Sequence, residues 1–199
     1  MSQDQATQFI TEYLANLEGL GVLEESIQHM RDHLKIITVK TKDTLLLPGD
    51  ICKNAYLVAE GGFVCRYIHE KTGFAKTINF YLTDLHQLMA CVDSYFTQVP
   101  THCELKAITD SVVVALPKVA IDALKEKDRY FNQFYHDSMI TVIVEENELK
   151  TKLIAYSARE KYDFILQEMP SVIQKVPSKY IAEFCGISPE WLSKLKKQG

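Results

Sequence analysis

The sequence lacks the signals of metal-binding, secreted and membrane proteins. None of its five cysteines (Cys52, Cys65, Cys91, Cys103 and Cys185) form a C-x-x-C pair, and no cluster of ligands indicates a zinc or iron–sulfur site. Their odd number and apolar surroundings favour free, buried thiols in a reducing compartment. The first ten residues have no signal-peptide pattern, and no apolar run approaches the roughly 20 residues that span a bilayer. We therefore expect a cytoplasmic protein.

Signals for catalysis are also missing. There is no phosphate-binding loop, dinucleotide fingerprint or internal repeat. His86 and Cys91 lie close in sequence, but their segment has no nucleophile-elbow or oxyanion signature. His29 and His33 have ligand-like spacing without the glutamate that metalloprotease chemistry requires, so they indicate an exposed helix face. The sequence gives no positive case for an enzyme, and we expect none.

Charge is unevenly placed along the chain. The 199 residues carry 22 Lys or Arg and 26 Asp or Glu, a net charge of −4. From Ser157 to Gly199 there are seven basic and five acidic residues, which makes that end +2 and leaves −6 on the rest. A small basic end on an acidic body is compatible with a DNA-binding module carried by a sensing or dimerising body.

Periodicity divides the body of the chain into helix, sheet and helix. Two amphipathic helices are predicted over about 6–17 and 23–34. From Lys35 to about Leu116, short β-branched runs alternate with turn signals such as Pro48-Gly49-Asp50. Short strands with regular turns predict an antiparallel sandwich or barrel.

A long helix is predicted from about Arg129 to Tyr156. Side chains that alternate at spacings of four and three form an a/d seam, which favours a two-fold helix pair over a helix lying on its own sheet. Glu146 is the charged member of this seam, where it faces its own copy and sets the register at a cost in stability. The predicted dimer seam is Tyr135, Met139, Val142, Glu146, Leu149, Leu153 and Tyr156.

The stretch YIAEFCGISPEWLSKLKK, residues 180–197, predicts a helix-turn-helix. Ala182 is small enough for two helices to approach, Gly186 supplies a left-handed turn residue, and Leu192 packs back between the helices. Their offsets of four and six are those of the motif. Ser178 and Ser188 are predicted N-caps of the two helices.

The second helix of this motif presents polar and basic side chains outward, where they can meet phosphates or base edges. Trp191 has two interpretations, an anchor in the core of the small domain, which we favour, or a stacking surface at the groove. A helix hairpin with no role at DNA is the alternative for the whole motif. The candidate DNA-binding residues are Ser188, Pro189, Glu190, Trp191, Ser193, Lys194, Lys196 and Lys197.

Two segments carry a resemblance to a known family. TLLLPGDICKNAYLVAEGGFVCRYI (44–68) is similar to the opening strands of a cyclic-nucleotide-binding β-roll. VPSKYIAEFCGISPEWLSKLKK (176–197) resembles the DNA-reading motif of bacterial Crp/Fnr-type transcription regulators. The order of elements resembles that family over nearly the whole chain.

The resemblance implies an α+β fold in two domains. Residues 1–156 form an antiparallel β-roll sensor with flanking helices and a long dimerisation helix over 129–156, and residues 157–199 form a small helix-turn-helix domain. It implies a homodimer that reads a palindromic DNA site. The family's β-hairpin wing after the reading helix is expected to be absent, and this helix carries lysines, which are point charges, rather than the bidentate fork of arginine.

The resemblance also locates a ligand site in the roll. The family cradles a cyclic phosphate with a Gly-rich turn, a glutamate for the ribose and an arginine for the phosphate. The matching segment, residues 80–110, contains no Gly and no Arg, and acidic residues offset its single Lys106. We therefore expect that cyclic AMP does not bind unless Arg66 or a protonated His102 pairs with the phosphate.

The sequence leaves two possibilities open for the interior of the roll. In the first, the roll binds an unknown, more apolar small-molecule effector, and Tyr95 and Phe96 also line the pocket. In the second, the roll's own side chains fill the interior. A ligand-binding or protein-interaction module without DNA binding is the alternative function. The candidate pocket residues are Arg66, Leu88, Met89, Cys91, Asp93, Thr101, His102 and Thr141.

Overall fold

The structure, a computed structural model, describes residues 3–197, with side chains from Ala6 onward. Helices precede and follow a central antiparallel β-roll. The helices of these residues are α1 (Gln3–Gly19), α2 (Glu24–His33), α3 (Val92–Thr97), α4 (Lys118–Lys127), α5 (Arg129–Ala155), α6 (Ala158–Glu168), α7 (Pro170–Lys175), α8 (Ser178–Cys185) and α9 (Pro189–Lys197).

The roll consists of two four-stranded antiparallel sheets, ordered β1-β8-β3-β6 and β2-β7-β4-β5. Strands that are distant in sequence, such as β1 with β8 and β2 with β7, pair with each other, which folds the chain back on itself. The strands are β1 (Lys35–Val39), β2 (Thr44–Leu46), β3 (Asn54–Glu60), β4 (Gly62–Ile68), β5 (Ala75–Leu82), β6 (Leu88–Met89), β7 (Cys103–Ala107) and β8 (Ser111–Pro117).

The element order agrees with the sequence prediction. Helices, a sheet region that begins at Lys35, the long helix α5 and the helical C-terminal region all form. Two short helices were not predicted. Residues 92–97 form α3 within the sheet region. Pro170–Lys175 forms α7, with Pro170 at the first helical position, where its missing N–H costs nothing.

Buried side chains form two hydrophobic cores. The roll core joins residues on the inner faces of both sheets, including Phe63, Cys65 and Tyr81, to the N-terminal helices through Leu14 and Leu17. Because neighbours along a strand point to opposite faces, Val64 and Phe80 lie on the outer face.

The second core lies under the C-terminal helices. It combines residues of the roll's outer face, Val64, Phe80 and Leu82, with buried side chains of α6 to α9 such as Ile165 and Phe184. Each large apolar side chain that it removes from water contributes about 1.5–3 kcal/mol to folding. The helix-turn-helix region is therefore packed directly on a sheet of the roll.

Asp128 joins the start of α5 to the N-terminal helices. Its buried carboxylate caps α5 by accepting hydrogen bonds from the backbone N–H groups of Tyr130 and Phe131. It also accepts one from the N–H of Leu23, at 2.8 Å. Three donors on one carboxylate fix the point at which the long helix leaves the roll.

Candidate DNA-binding surface and sensor interior

Helices α8 and α9 form the helix-turn-helix that the spacing predicts. Gly186 has the left-handed φ of 73° that allows the chain to turn, and the N–H of Ile187 donates to the carbonyl of Ala182 at 3.0 Å. Ala182 and Leu192 are 1% and 0% exposed, so the small residue and the leucine pack between the helices as predicted.

The two predicted caps behave differently. Ser188 caps α9, because its Oγ accepts a hydrogen bond from the backbone N–H of Trp191 at 3.2 Å. Ser178 does not cap α8, which has no side-chain cap. The Ser178 hydroxyl accepts instead from Lys196 Nζ at 2.8 Å and so ties the end of α9 to the start of α8.

The outward side of α9 is exposed, whereas Leu192 and Leu195 anchor its inner side. Trp191 is 58% exposed, so the interpretation that we favoured, a core anchor, is wrong. Leu192 and Leu195 fill that space, and the indole faces outward with the polar residues. All the candidate DNA-binding residues are exposed, namely Ser188, Pro189, Glu190, Trp191, Ser193, Lys194, Lys196 and Lys197.

The predicted dimer seam of α5 lies against the chain's own body. Leu149 and Leu153 belong to the core under the C-terminal helices, and Tyr135 packs on the roll core. Met139 and Val142 are half-buried, whereas Tyr156 is exposed at the helix end. The seam therefore coincides in part with an intramolecular face, since the roll contacts Tyr135 and the C-terminal helices contact Leu149 and Leu153.

Glu146, a member of the predicted seam, is bound to the sheet of its own chain. Its Oε1 accepts a hydrogen bond from Asn79 Nδ2 of β5 at 2.6 Å. Burial raises the pKa of this carboxyl, and the nearby His86 offsets part of the increase. The Glu146 carboxyl therefore has a partner on β5 of the same chain.

A different side of α5 is apolar and exposed. Ile140, Ile143, Val144 and Ile154 are 48%, 67%, 57% and 78% exposed. With 3.6 residues per turn, their spacing places them along one side of the helix, away from Leu149 and Leu153. We call these four residues the α5 stripe.

The structure does not bring the candidate pocket residues together. Met89, Cys91 and Thr101 are buried in the roll, whereas Leu88, Asp93 and His102 are exposed. The further lining candidates divide in the same way, since Tyr95 is buried and Phe96 is 49% exposed. Thr141 is exposed on α5 and donates its hydroxyl to the carbonyl of Asp137.

Neither candidate for the phosphate partner points into the roll. Arg66 lies on the outer face of β4, where it binds Glu104 and Glu183. His102 pairs at the surface with Glu70, with Nδ1 and Oε1 3.0 Å apart. No lysine, arginine or histidine is buried among the side chains of residues 6–197. A buried phosphate would have no cation to compensate it.

Three thiols occupy the inner face of the roll instead. Cys65 on β4 and Cys103 on β7 lie on adjacent strands, since Cys65 is opposite Leu105 and Cys103 is opposite Tyr67. Hydrogen bonds with the thiols of Cys65 and Cys91 lower the pKa of Cys103, and hydrogen bonds with the thiols of Cys103 and Cys91 raise the pKa of Cys65. All five cysteines are free and buried, as the sequence predicts.

The described part of the chain has neither a cluster of metal ligands nor a membrane-spanning helix. No group of three or more His, Cys, Asp or Glu residues there has the arrangement of a metal site. None of the described helices combines the length and the apolar character that crossing a membrane requires.

Comparison of the fold with solved structures gives extensive matches at low sequence identity. FixK2 from Bradyrhizobium japonicum matches with a TM-score of 0.69 and 14% identity, over 83% of each chain. A Crp/Fnr-family transcriptional regulator from Eubacterium rectale matches with a TM-score of 0.66 and 14% identity, over 88% of this chain and 82% of that one.

A third match is a cyclic nucleotide-binding domain containing protein from Listeria monocytogenes, with a TM-score of 0.66 and 12% identity, over 94% of this chain and 88% of that one. No protein-family model and no curated protein sequence matches the chain. The matches join the roll, the long helix and the C-terminal helices in one architecture, so the chain has the fold of the Crp/Fnr-type transcription regulators.

Proposed function

We propose that this protein is a dimeric, DNA-binding transcription regulator and not an enzyme. The observation that carries the proposal is the outward side of α9, with Lys194, Lys196, Lys197 and Trp191 exposed on a helix whose inner side is anchored by buried leucines. Such a helix fits the major groove, where lysines meet phosphates and an indole stacks or contacts base edges.

The α5 stripe supplies the dimer interface of this proposal. A helix pair through this stripe would bury four aliphatic side chains per protomer that water now surrounds. Two α9 helices held by one two-fold axis reach two half-sites of a palindrome. This places the interface on a different side of α5 from the seam that the sequence predicts.

Duplex DNA tests the proposal directly. We expect a fluorescein-labelled duplex of mixed sequence to bind the full chain at 50 mM salt, with an affinity that falls steeply by 200 mM because lysine–phosphate contacts release counterions. Fluorescence anisotropy measures the affinity at each salt concentration. Failure to bind at low salt would contradict a DNA role and favour a protein-interaction module of the same fold.

Cyclic AMP is not the effector in this proposal. The interior holds thiols and apolar side chains without a buried cation, and Arg66 is engaged on the outer face. We expect titration calorimetry with millimolar cyclic AMP to give no saturable heat, because the phosphate would enter uncompensated. A saturable isotherm that Arg66→Gln abolishes would contradict this expectation and would identify Arg66 as the partner of the phosphate.

A further inference from the structure

On the outer face of the roll, the sheet binds a carboxylate of the helix-turn-helix through a bidentate contact. Arg66 Nε donates to Glu183 Oε2 and Arg66 Nη2 donates to Glu183 Oε1, each at 3.0 Å. The hydroxyl of Thr77 donates a third bond to Glu183 Oε2 at 2.9 Å. A planar fork on a carboxylate is among the strongest and most directional polar contacts in proteins.

The groups that hold Glu183 are arranged by the sheet itself. Arg66 on β4 lies directly opposite Glu104 on β7 and opposite Thr77 on β5. Residues opposite each other in antiparallel strands project from the same face. Arg66 Nη1 donates to Glu104 Oε1, which orients the guanidinium independently of α8. We call Arg66, Thr77 and Glu104 the carboxylate receptor.

We propose that the carboxylate receptor is a releasable latch, which docks the helix-turn-helix domain on the sensor through Glu183 and lets it leave without stranding a charge. The receptor has one guanidinium and, with Glu183 bound, two carboxylates. When α8 moves away, Glu183 enters water and Arg66 stays paired with Glu104. A simple buried ion pair lacks this property, because separating it leaves an unpaired buried charge.

Partial burial keeps the latch effective in the presence of salt. The side chains of Arg66, Glu104 and Glu183 are 17%, 11% and 24% exposed. Charges at this depth are screened less by dissolved ions than exposed surface pairs are. Glu183 is the most exposed of the three, which is consistent with its being the group that leaves.

Aromatic contacts flank the latch along α8. Tyr180 and Phe184 lie three residues before and one after Glu183, on the same face of the helix. The Arg66 guanidinium carbon is 5.4 Å from the centre of the Tyr180 ring, and the rings of Phe184 and Phe80 are 4.8 Å apart. The aromatic pairs contribute apolar contact area between α8 and the sheet. The bidentate contact of Arg66 with Glu183 fixes the position of α8 along β4 and β5.

The latch also connects the roll interior to α9, a consequence that rests on the proposed function. Arg66 follows Cys65, and Phe80 precedes Tyr81, so the strand segments that hold α8 also carry inward side chains of the roll core. A change of packing at Cys65 shifts Arg66 of the receptor, and a change at Tyr81 shifts Phe80 under α8, each by way of a single peptide unit. The long helix is then not the sole route between sensor and reading helix.

Hydrogen exchange of the full chain tests the latch without DNA. Glu183→Gln keeps the side-chain shape and removes the charge, whereas a change at Arg66 would leave Glu104 unpaired and threaten folding. We expect amides of residues 178–185 to exchange on the order of tenfold faster, since a hydrogen bond to a charged group contributes about 1.5–3 kcal/mol. Amides of β3 and β8, in the roll core, should keep their rates.

Glu168→Gln is the matched control, because Glu168 is an exposed glutamate on α6 of the same helical region. It should leave every segment unchanged. Unaltered exchange over 178–185 in Glu183→Gln would overturn the latch, and equal acceleration in β3 and β8 would show a general loss of stability and overturn it as well. Because no DNA is present, failure of the DNA-binding proposal gives a separate result.

Discussion

Replacing Lys194 and Lys197 by alanine together is expected to weaken duplex binding at least about 100-fold at 0.1 M salt, because a dimer then loses four cations at the phosphates. Both lysines are exposed on α9. Lys196 is left in place, since it also binds Ser178 across the hairpin. The slope of log affinity against log salt should fall by about 0.9 for each phosphate contact that is lost.

The control for this variant removes the same charge elsewhere. Lys35 and Lys53 are exposed on the sensor, and the pair Lys35→Ala and Lys53→Ala should leave affinity nearly unchanged. Anisotropy titrations at several salt concentrations compare the two variants. An equal loss in both would mean that total charge governs binding, and an unchanged Lys194/Lys197 variant would exclude α9 as the reading helix.

Local features of the C-terminal hairpin were predictable from the sequence. The left-handed Gly186, the Ser188 cap and the packing of Ala182 with Leu192 depend on residues within one or two turns, and all are as predicted. The role of Trp191 was not predictable, because an amphipathic helix of nine residues with two leucines already has enough anchors. Which large side chain of α9 stays outside depends on how α9 packs against α8.

The interacting faces of α5 were harder to predict for a different reason. A 27-residue helix that crosses the roll and meets the C-terminal helices carries two apolar sides. The regularly spaced seam was the side that we predicted to be the dimer interface. The second side, with β-branched Ile140, Ile143 and Val144, has a less regular spacing. Sequence periodicity identifies a face that is buried but does not identify its partner.

The partner of Arg66 could not be deduced from the sequence because it lies far along the chain. The residue sits in a strand whose alternation is clear, but Glu183 is 117 positions away. A search for a phosphate partner therefore assigned Arg66 to the inside of the roll. The alternation of β4, with Phe63 and Cys65 inward and Val64 outward, was the signal that placed Arg66 outside.

Replacing Ile143 by glutamate is expected to convert the proposed dimer into a monomer. Ile143 is 67% exposed in the single chain, so the substitution should leave folding of the protomer intact. In a two-fold helix pair it introduces a carboxylate from each protomer into an apolar seam, where neither has a partner. The dissociation constant should rise at least about 100-fold, measured by sedimentation equilibrium with circular dichroism as the check on folding.

Glu145→Lys is the matched control for the Ile143 substitution. Glu145 is exposed and lies two positions along α5, which turns it to nearly the opposite side of the helix. This variant should remain dimeric although its charge changes by two units. A wild-type chain that is monomeric at micromolar concentration would contradict the dimer itself. A dimer that survives Ile143→Glu would show that the α5 stripe is not its interface, and the two reading helices would then need another two-fold contact to span a palindrome.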